Sequence, residues 1–208
     1  MAQDITTEKG KLSYAIGWDI GEDIQKRGAE FDVEAIILAI RDSAAGSDPQ
    51  VPAEEMVALL TALQQKVRQE QQEAFIALAE ENKTKSEEFL TQNKSKTGIV
   101  ELPSGVQYRI IEEGDGSRPG LDSTVKVHYR GSKMNGHEFD SSFARGVPEE
   151  FTVNTVLRGW QEVLPLMKTG STWQVFVPPE LAFGARGNPP VGPNEALMFD
   201  LKLVEIVE

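Results

Sequence analysis

The sequence predicts an α+β fold: an all-helical N-terminal segment with a long connecting helix, then a twisted antiparallel sheet wrapped on one short helix. Three observations predict it. No glycine or proline occurs between Pro52 and Gly98, whereas glycine, proline and β-branched residues crowd in after it. Before residue 98 the apolar residues recur at spacings of three and four, the helical period. After it they alternate with polar residues, the period of a half-buried strand. The expected organisation is a helical domain over 1–50, a connecting helix over 51–97 and a sheet domain over 98–208.

The first helix is expected over 12–27, with Ile16, Ile20 and Ile24 on one stripe and Gly17 and Gly21 on another. Asp32 is a good N-cap for a second helix, with Phe31 and Ile36 placed as a hydrophobic staple. Val33, Ile36, Ile37 and Ile40 supply its apolar face, and Gly46-Ser47-Asp48-Pro49 ends it. Pro52 opens the third helix, with Glu54 and Glu55 at its positive dipole end. Its stripe of Met56, Leu60, Leu63, Val67, Ala74 and Leu78 fades into the polar run EENKTKSEEFLTQNKSK. A helix over 53–95 would be roughly 60 Å long at 1.5 Å per residue. Its polar half is expected to stand in solvent as a rod; a broken helix with a loose end is the alternative. Some 50 residues of helix have a small core and are marginal alone. Two copies sharing one core, a homodimer, account better for the apolar stripes.

In the sheet domain, strands are expected over 106–110, 124–129, 172–177 and 196–206, with GDG turning the chain after the first. Val125, Val127 and Tyr129 fall on one face. Gly159 to Leu164 is the one short helical stretch, and Pro165 limits it to little more than a turn.

The totals exclude several functions. The net charge of -12 argues against nucleic acid, which needs a basic face. No run approaches the roughly 18 apolar residues of a membrane-spanning helix. The absence of cysteine rules out disulfides, thiol catalysis and a lipid-anchored cysteine in this chain. Met1-Ala2-Gln3-Asp4 leads straight into polar sequence. That fits a cytoplasmic chain, or a terminus exposed by cleavage after a small residue. The second reading, a periplasmic or cell-envelope protein, is the expectation carried forward.

Conventional catalytic patterns are missing. Ser141 and Ser142 lack a G-x-S-x-G context. His128 falls on the strand face opposite Tyr129, His137 lies in a polar turn, and no metal-ligand cluster stands near either. Six aromatics gather instead: Tyr129, Phe139, Phe151, Trp160, Phe183 and Phe199. Each alone reads more readily as core. Asp140 and Arg145 beside Phe139 add a charged pair, which needs mutual partnering at the rim of such a pocket.

VHYRG, EFDSS, LRGW, PPELAFGARG and LMFDLKLVEI, in this order, resemble the FKBP-type peptidyl-prolyl cis-trans isomerase domain, over about residues 100–208. The helical segment with its long helix resembles the Mip-like bacterial branch, whose N-terminal helices intertwine into a dimer. The resemblance implies an enzyme with no cofactor and no metal. It rotates Xaa-Pro bonds in unfolded or partly folded proteins and is inhibited by tacrolimus and rapamycin. The dimer would have an associated chaperone role. A holdase or binding module with weak or no isomerase activity is the alternative. Rotation about the prolyl bond faces a barrier of roughly 18–20 kcal/mol and takes tens to hundreds of seconds uncatalysed. It breaks no bond and needs no nucleophile. A dry aromatic pocket would favour the twisted amide, which has lost resonance and is less well hydrated.

Carried over by resemblance, Trp160 is the floor under the proline ring. Tyr129, Phe139, Val156, Leu157 and Phe199 are walls, and the Leu157 N–H donates to a substrate carbonyl. Asp140 faces the twisting carbonyl or ties down Tyr129 and Arg145. Tyr129, Phe139, Asp140, Leu157 and Trp160 form the catalytic set; Arg145, Phe151, Val156, Phe183, Val191 and Phe199 complete the binding set. Phe183 stands where the family usually has tyrosine, which would cost about 0.5–1.5 kcal/mol of ligand binding if that phenol bonds in relatives. Asn188 stands where relatives vary. Glu149 and Glu150 add negative charge at the rim, and Pro165 is unusual in the short helix.

Overall fold

The structure, a computed structural model, describes residues 5–26 and 31–207. The expected helix end at Arg27 and the Ala2-Gln3-Asp4 terminus lie outside them. The chain divides into two compact units, Met1–Gln72 and Glu73–Glu208.

The first unit holds α1 (Glu8–Lys26), α2 (Val33–Ala45) and the beginning of α3 (Ala53–Asn93). Asp32 caps α2 as expected, its carboxylate accepting from the Ala35 N–H at 3.1 Å. Gly46 closes α2 in the left-handed conformation (φ 70°), which glycine adopts without strain. None of the described residues of this unit is buried. Leu12, Ile16, Ile20, Val33, Leu38, Ile40, Val57 and Leu60 are all exposed, so one copy leaves its apolar stripes open.

The second unit begins within α3, which runs as one helix. Here the expectation of a solvent-exposed polar rod is corrected. Asn82, Ser86 and Asn93 are buried, and Phe89 and Leu90 are half-buried. Positions 82, 86, 89, 90 and 93 form one helical face. Phe89 packs 5.9 Å from Phe176. The face is polar because it meets backbone and amide groups: Asn93 Nδ2 donates to Gln107 Oε1 at 3.0 Å, and Gln107 Nε2 donates to the Leu90 carbonyl at 2.9 Å.

The sheet contains β1 (Val100–Glu101), β2 (Gln107–Glu112), β3 (Thr124–Lys133), β4 (Glu138–Ser141), β5 (Glu149–Thr152), β6 (Thr172–Val177) and β7 (Leu197–Val207). The order is β1-β2-β6-β7-β3-β4, with β5 also pairing β3, and every pairing is antiparallel. The short strands β1, β4 and β5 were not expected; at two to four residues they show too little alternation to be read. A single-turn helix, α4 (Ser142–Arg145), also lies outside the expectation. The expected short helix is α5 (Arg158–Val163), continued by a 3₁₀ turn over Leu164–Leu166 that contains Pro165. Proline thus stands in the first turn of the 3₁₀ segment, where its missing N–H is tolerated.

Trp160, Val163, Leu164 and Met167 pack with Val125, Val127, Tyr129, Val175, Val177 and Leu201 in one core. Two glycines of the sequence motifs permit this closeness. A Cβ at Gly159 would stand 2.5 Å from Val177, so α5 could not lie on β6. A Cβ at Gly131 would stand 2.6 Å from the Phe139 ring and 2.9 Å from Phe199.

Candidate functional site

The aromatics converge because of register and helix placement. Tyr129 is on the buried face of β3, beside Phe151 of β5 and Phe199 of β7. Trp160, 4% exposed, meets Tyr129 at 5.3 Å, Phe199 at 5.1 Å and Phe151 at 6.0 Å between ring centroids. Phe139 meets Phe199 at 6.0 Å and Phe183 at 6.5 Å. All five contacts are edge-to-face, the arrangement the ring quadrupole favours.

These rings enclose a cavity of ≈ 210 Å³ lined by Tyr129, Phe139, Asp140, Phe151, Thr155, Val156, Leu157, Trp160, Phe183 and Phe199. Drug-sized pockets run about 300–1,000 Å³, so this one suits a single small ring. Larger hollows, ≈ 860 Å³ along α1 with the Tyr14 and Trp18 rings and ≈ 630 Å³ beside α2, are open surface in the first unit. Of the expected binding residues, Val191 is placed differently: it is 3% exposed, packed in the core, and does not line the cavity. Its isolated antiparallel bridge to Asn188 fixes its backbone. Thr155 lines the cavity and was not anticipated; a lone threonine between Asn154 and Val156 carries no sequence signal.

Arg145 stands at the rim rather than in the lining. Ser141 starts α4, its hydroxyl accepting from the Ala144 N–H at 3.2 Å, and that single turn brings Arg145 back over Asp140. Arg145 Nη1 donates to Asp140 Oδ1 at 2.6 Å, and Nη2 donates to the Tyr129 hydroxyl at 2.9 Å and to Glu149. The Tyr129 hydroxyl donates to Asp140 Oδ2 at 2.7 Å. Glu149 is therefore ion-paired at the rim, and Glu150 pairs with Lys126 at 3.6 Å. Arg145 is shared with Asp140 and Lys126 with Glu205, so the rim keeps the net negative charge expected from these two residues.

Burial, with the bond to Asp140, pushes the Tyr129 phenol up to about 12. Burial also raises Asp140, but the bonds from Arg145 and Tyr129 outweigh it and hold the carboxyl below its usual range. Arg145 is held above its usual value by the same partners. At neutral pH the hub is one carboxylate, one phenol and one guanidinium, with no proton to exchange. The phenol gives its only proton to Asp140 and has none for a ligand.

Two further groups are set by local chemistry. Ser142, fully buried, accepts from the Tyr129 N–H at 2.7 Å and so fixes the Tyr129 backbone, a role with no nucleophilic component. The Leu157 N–H, at the N-cap of α5, donates to no acceptor among the described residues. Gln161 Nε2 holds the approach to it, donating to the Val156 carbonyl at 2.8 Å and the Asn154 carbonyl at 3.1 Å. The Trp160 indole N–H is buried and has no acceptor among the described residues, at a cost of about 1–3 kcal/mol. His128 stacks on Phe143 at 4.8 Å, outside the cavity. No group of three metal-ligating side chains occurs among the described residues. No helix among them is long and apolar enough to cross a membrane.

Residues 116–204 match the family described as FKBP-type peptidyl-prolyl cis-trans isomerase, and residues 9–110 match the domain amino terminal to it. The outer membrane protein MIP of Legionella longbeachae is 42% identical over 206 residues, 99% of this chain and 88% of that one. The chain belongs to the FKBP-type peptidyl-prolyl cis-trans isomerase family. Family membership covers the helical part as well as the sheet. The peptidyl-prolyl cis-trans isomerase Mip of Coxiella burnetii is 38% identical over 99% of this chain and 90% of its own. The 22 kDa FKBP-type isomerase of Escherichia coli is 36% identical over 97% of each. The crystal structure of FkpA from Escherichia coli superposes with a TM-score of 0.76 at 30% identity over 97% of both chains. The fold class and enzyme class expected from the sequence are those of this family, in its Mip-like bacterial branch.

Proposed function

We propose that the ≈ 210 Å³ cavity receives the proline ring of an Xaa-Pro segment and lowers the barrier to its rotation. Trp160 is the floor; Tyr129, Phe139, Phe151, Val156, Leu157, Phe183 and Phe199 are the walls. The Leu157 N–H holds the carbonyl that follows the ring. The preceding amide then twists in a place where water cannot stabilise its planar, polarised form, so the twisted state is bound better than the planar one. Asp140 acts by orientation: its two oxygens hold Tyr129 and Arg145, and its charge faces the reacting amide. No bond forms or breaks, no proton moves, and no cofactor takes part. The observation that carries the reading is an aromatic cavity beside a free N–H donor, with every ionisable neighbour already committed to another. The test is the cis-to-trans rate of Leu-Pro and Phe-Pro peptides with and without the protein, then with rapamycin. Acceleration that rapamycin blocks supports the reading; a folded protein without acceleration removes it.

The substrates are proline-containing unfolded or partly folded proteins, and tacrolimus and rapamycin occupy the same cavity. Residues 1–50 form a homodimer, joined by 51–97 to the isomerase domain over 98–208. The open apolar stripes of α1, α2 and early α3 support this, since a helical unit that buries nothing alone needs a second copy. Light scattering at one chain mass would remove it. The name of the Legionella relative supports placement in the periplasm or envelope. The same apolar surface favours a holdase role beside the isomerase activity. Aggregation suppression equal in the full chain and in residues 73–208 would remove that role.

A further inference from the structure

The cavity wall that carries Phe183 is not self-supporting. Phe183 lies in the connection between β6 and β7, between the 3₁₀ turns Pro179–Leu181 and Gly184–Arg186. Its ring meets Phe139 at 6.5 Å and has no hydroxyl to add a directional bond, so its place depends also on its backbone. That backbone is tied to α3 through one residue, Asn194, which stands in the left-handed region (φ 52°). The Asn194 N–H donates to the carbonyl of Gly184, next to Phe183, at 3.0 Å. Its own carbonyl accepts from Ser86 Oγ at 2.8 Å, and its side-chain Nδ2 donates to the Ala79 carbonyl at 3.1 Å. Ser86, 1% exposed, also accepts from the Ala196 N–H at 2.8 Å. Asn82 Nδ2 donates to the Pro193 carbonyl at 2.8 Å. On the other flank Glu195 takes the Gly192 N–H and pairs with Lys133 of β3 at 3.3 Å.

Residues 192–196 are thus clamped between α3 and β3, with the Pro193 and Asn194 carbonyls and the Ala196 N–H each matched by a polar side chain of the helix. An apolar helix face would leave those groups unpaired, at a cost of about 1–3 kcal/mol each. The polar face also fixes distance and direction, which apolar packing alone does less sharply.

We propose that Asn194 and Ser86 are positioning residues for isomerisation: α3, through them and Gly184, sets where Phe183 stands and so which residue before the proline the site accepts. This rests on the reading of the cavity as the prolyl site. The part of α3 that belongs to the second unit therefore supports the isomerase site from behind.

The test uses the full chain and two variants. Asn194→Gly tolerates the positive φ and keeps the backbone bonds, and it loses only the bond to Ala79. Ser86→Ala loses the bonds to Asn194 and Ala196. The readout is kcat/KM for Ala-Pro, Leu-Pro and Phe-Pro peptides. A purely structural role lowers the folded fraction and scales all three alike. A positioning role changes their ratio, because fit to one side chain is worth about tenfold or more in such discrimination. The expected result is a Leu-Pro to Ala-Pro ratio moved by about threefold or more in both variants. Amide exchange at Asn194 should also quicken by about tenfold in Ser86→Ala. Ratios unchanged in folded variants overturn the inference and leave the site reading intact. If Ser86→Ala fails to fold, Asn194→Gly decides alone. A wild-type chain without peptide activity removes the site reading and the inference together.

Discussion

Tyr129→Phe separates orientation from direct catalysis. The substitution keeps the ring and removes the oxygen that donates to Asp140 at 2.7 Å and accepts from Arg145 at 2.9 Å. Hydrogen bonds to charged groups contribute about 1.5–3 kcal/mol when well buried. Here the Asp140 and Arg145 side chains are 42% and 43% exposed, and their mutual bond at 2.6 Å survives. Water replaces much of what is lost, so about 1–2 kcal/mol is expected for the pair of bonds. For a protein of this size that lowers Tm by about 2–8 °C. With the ring still packed on Trp160, kcat/KM should fall by no more than about tenfold, equivalent to about 1.4 kcal/mol. Thermal melting and a peptide isomerisation assay on the same sample check both numbers. A loss above about a hundredfold at unchanged Tm would refute the argument, since the phenol would then be donating to the substrate. The phenol is held up near 12, so its folded value lies above its unfolded one. Its stabilising effect is complete below about pH 10 and is lost as pH rises through 12.

Other outcomes follow from the same geometry. Asp140 is held below its ordinary value, so its contribution is present above the ordinary carboxylate range and lost as pH falls through the lowered folded value. Acid melting curves of Asp140→Asn should lack that part of the acid limb, and curves superimposable on wild type would contradict it. Phe183→Tyr adds a phenol at the cavity wall and should tighten rapamycin binding by about 0.5–1.5 kcal/mol, measured by calorimetry. Residues 73–208 should stay folded and keep peptide turnover. Residues 98–208 lose Phe89 from Phe176 and leave Gln107, Pro193 and Ala196 without their partners on α3. That shorter chain should melt about 5 °C lower or more; equal melting would mean the α3 face contributes nothing.

Much of the site was legible in the chain because short-range rules placed it. Alternation put Val125, Val127 and Tyr129 on one face, and it separated His128 from them. Gly159 to Leu164 was legible as a short helix, whereas the close approaches at Gly159 and Gly131 emerged only from the packing. The committed carboxylate was foreshadowed by Asp140 and Arg145, five residues apart. The Arg145 turn itself required Ser141 as a cap, a signal present but short.

What the sequence determined by itself was composition and period: the change of architecture near residue 98, the helices, the long strands and the aromatic set. Tertiary structure alone decided the rest. Glu149 became the second partner of Arg145 only because β5 pairs with β3 in a register that brings it there. Val191 turned inward, and Thr155 outward to the cavity, through loop paths that no periodicity encodes. The polar half of α3 reads as solvent-facing because hydropathy counts side chains. Asn82, Ser86 and Asn93 are buried because what they face is backbone and amide, and a polar residue is as well placed inside as outside once every group it meets is paired.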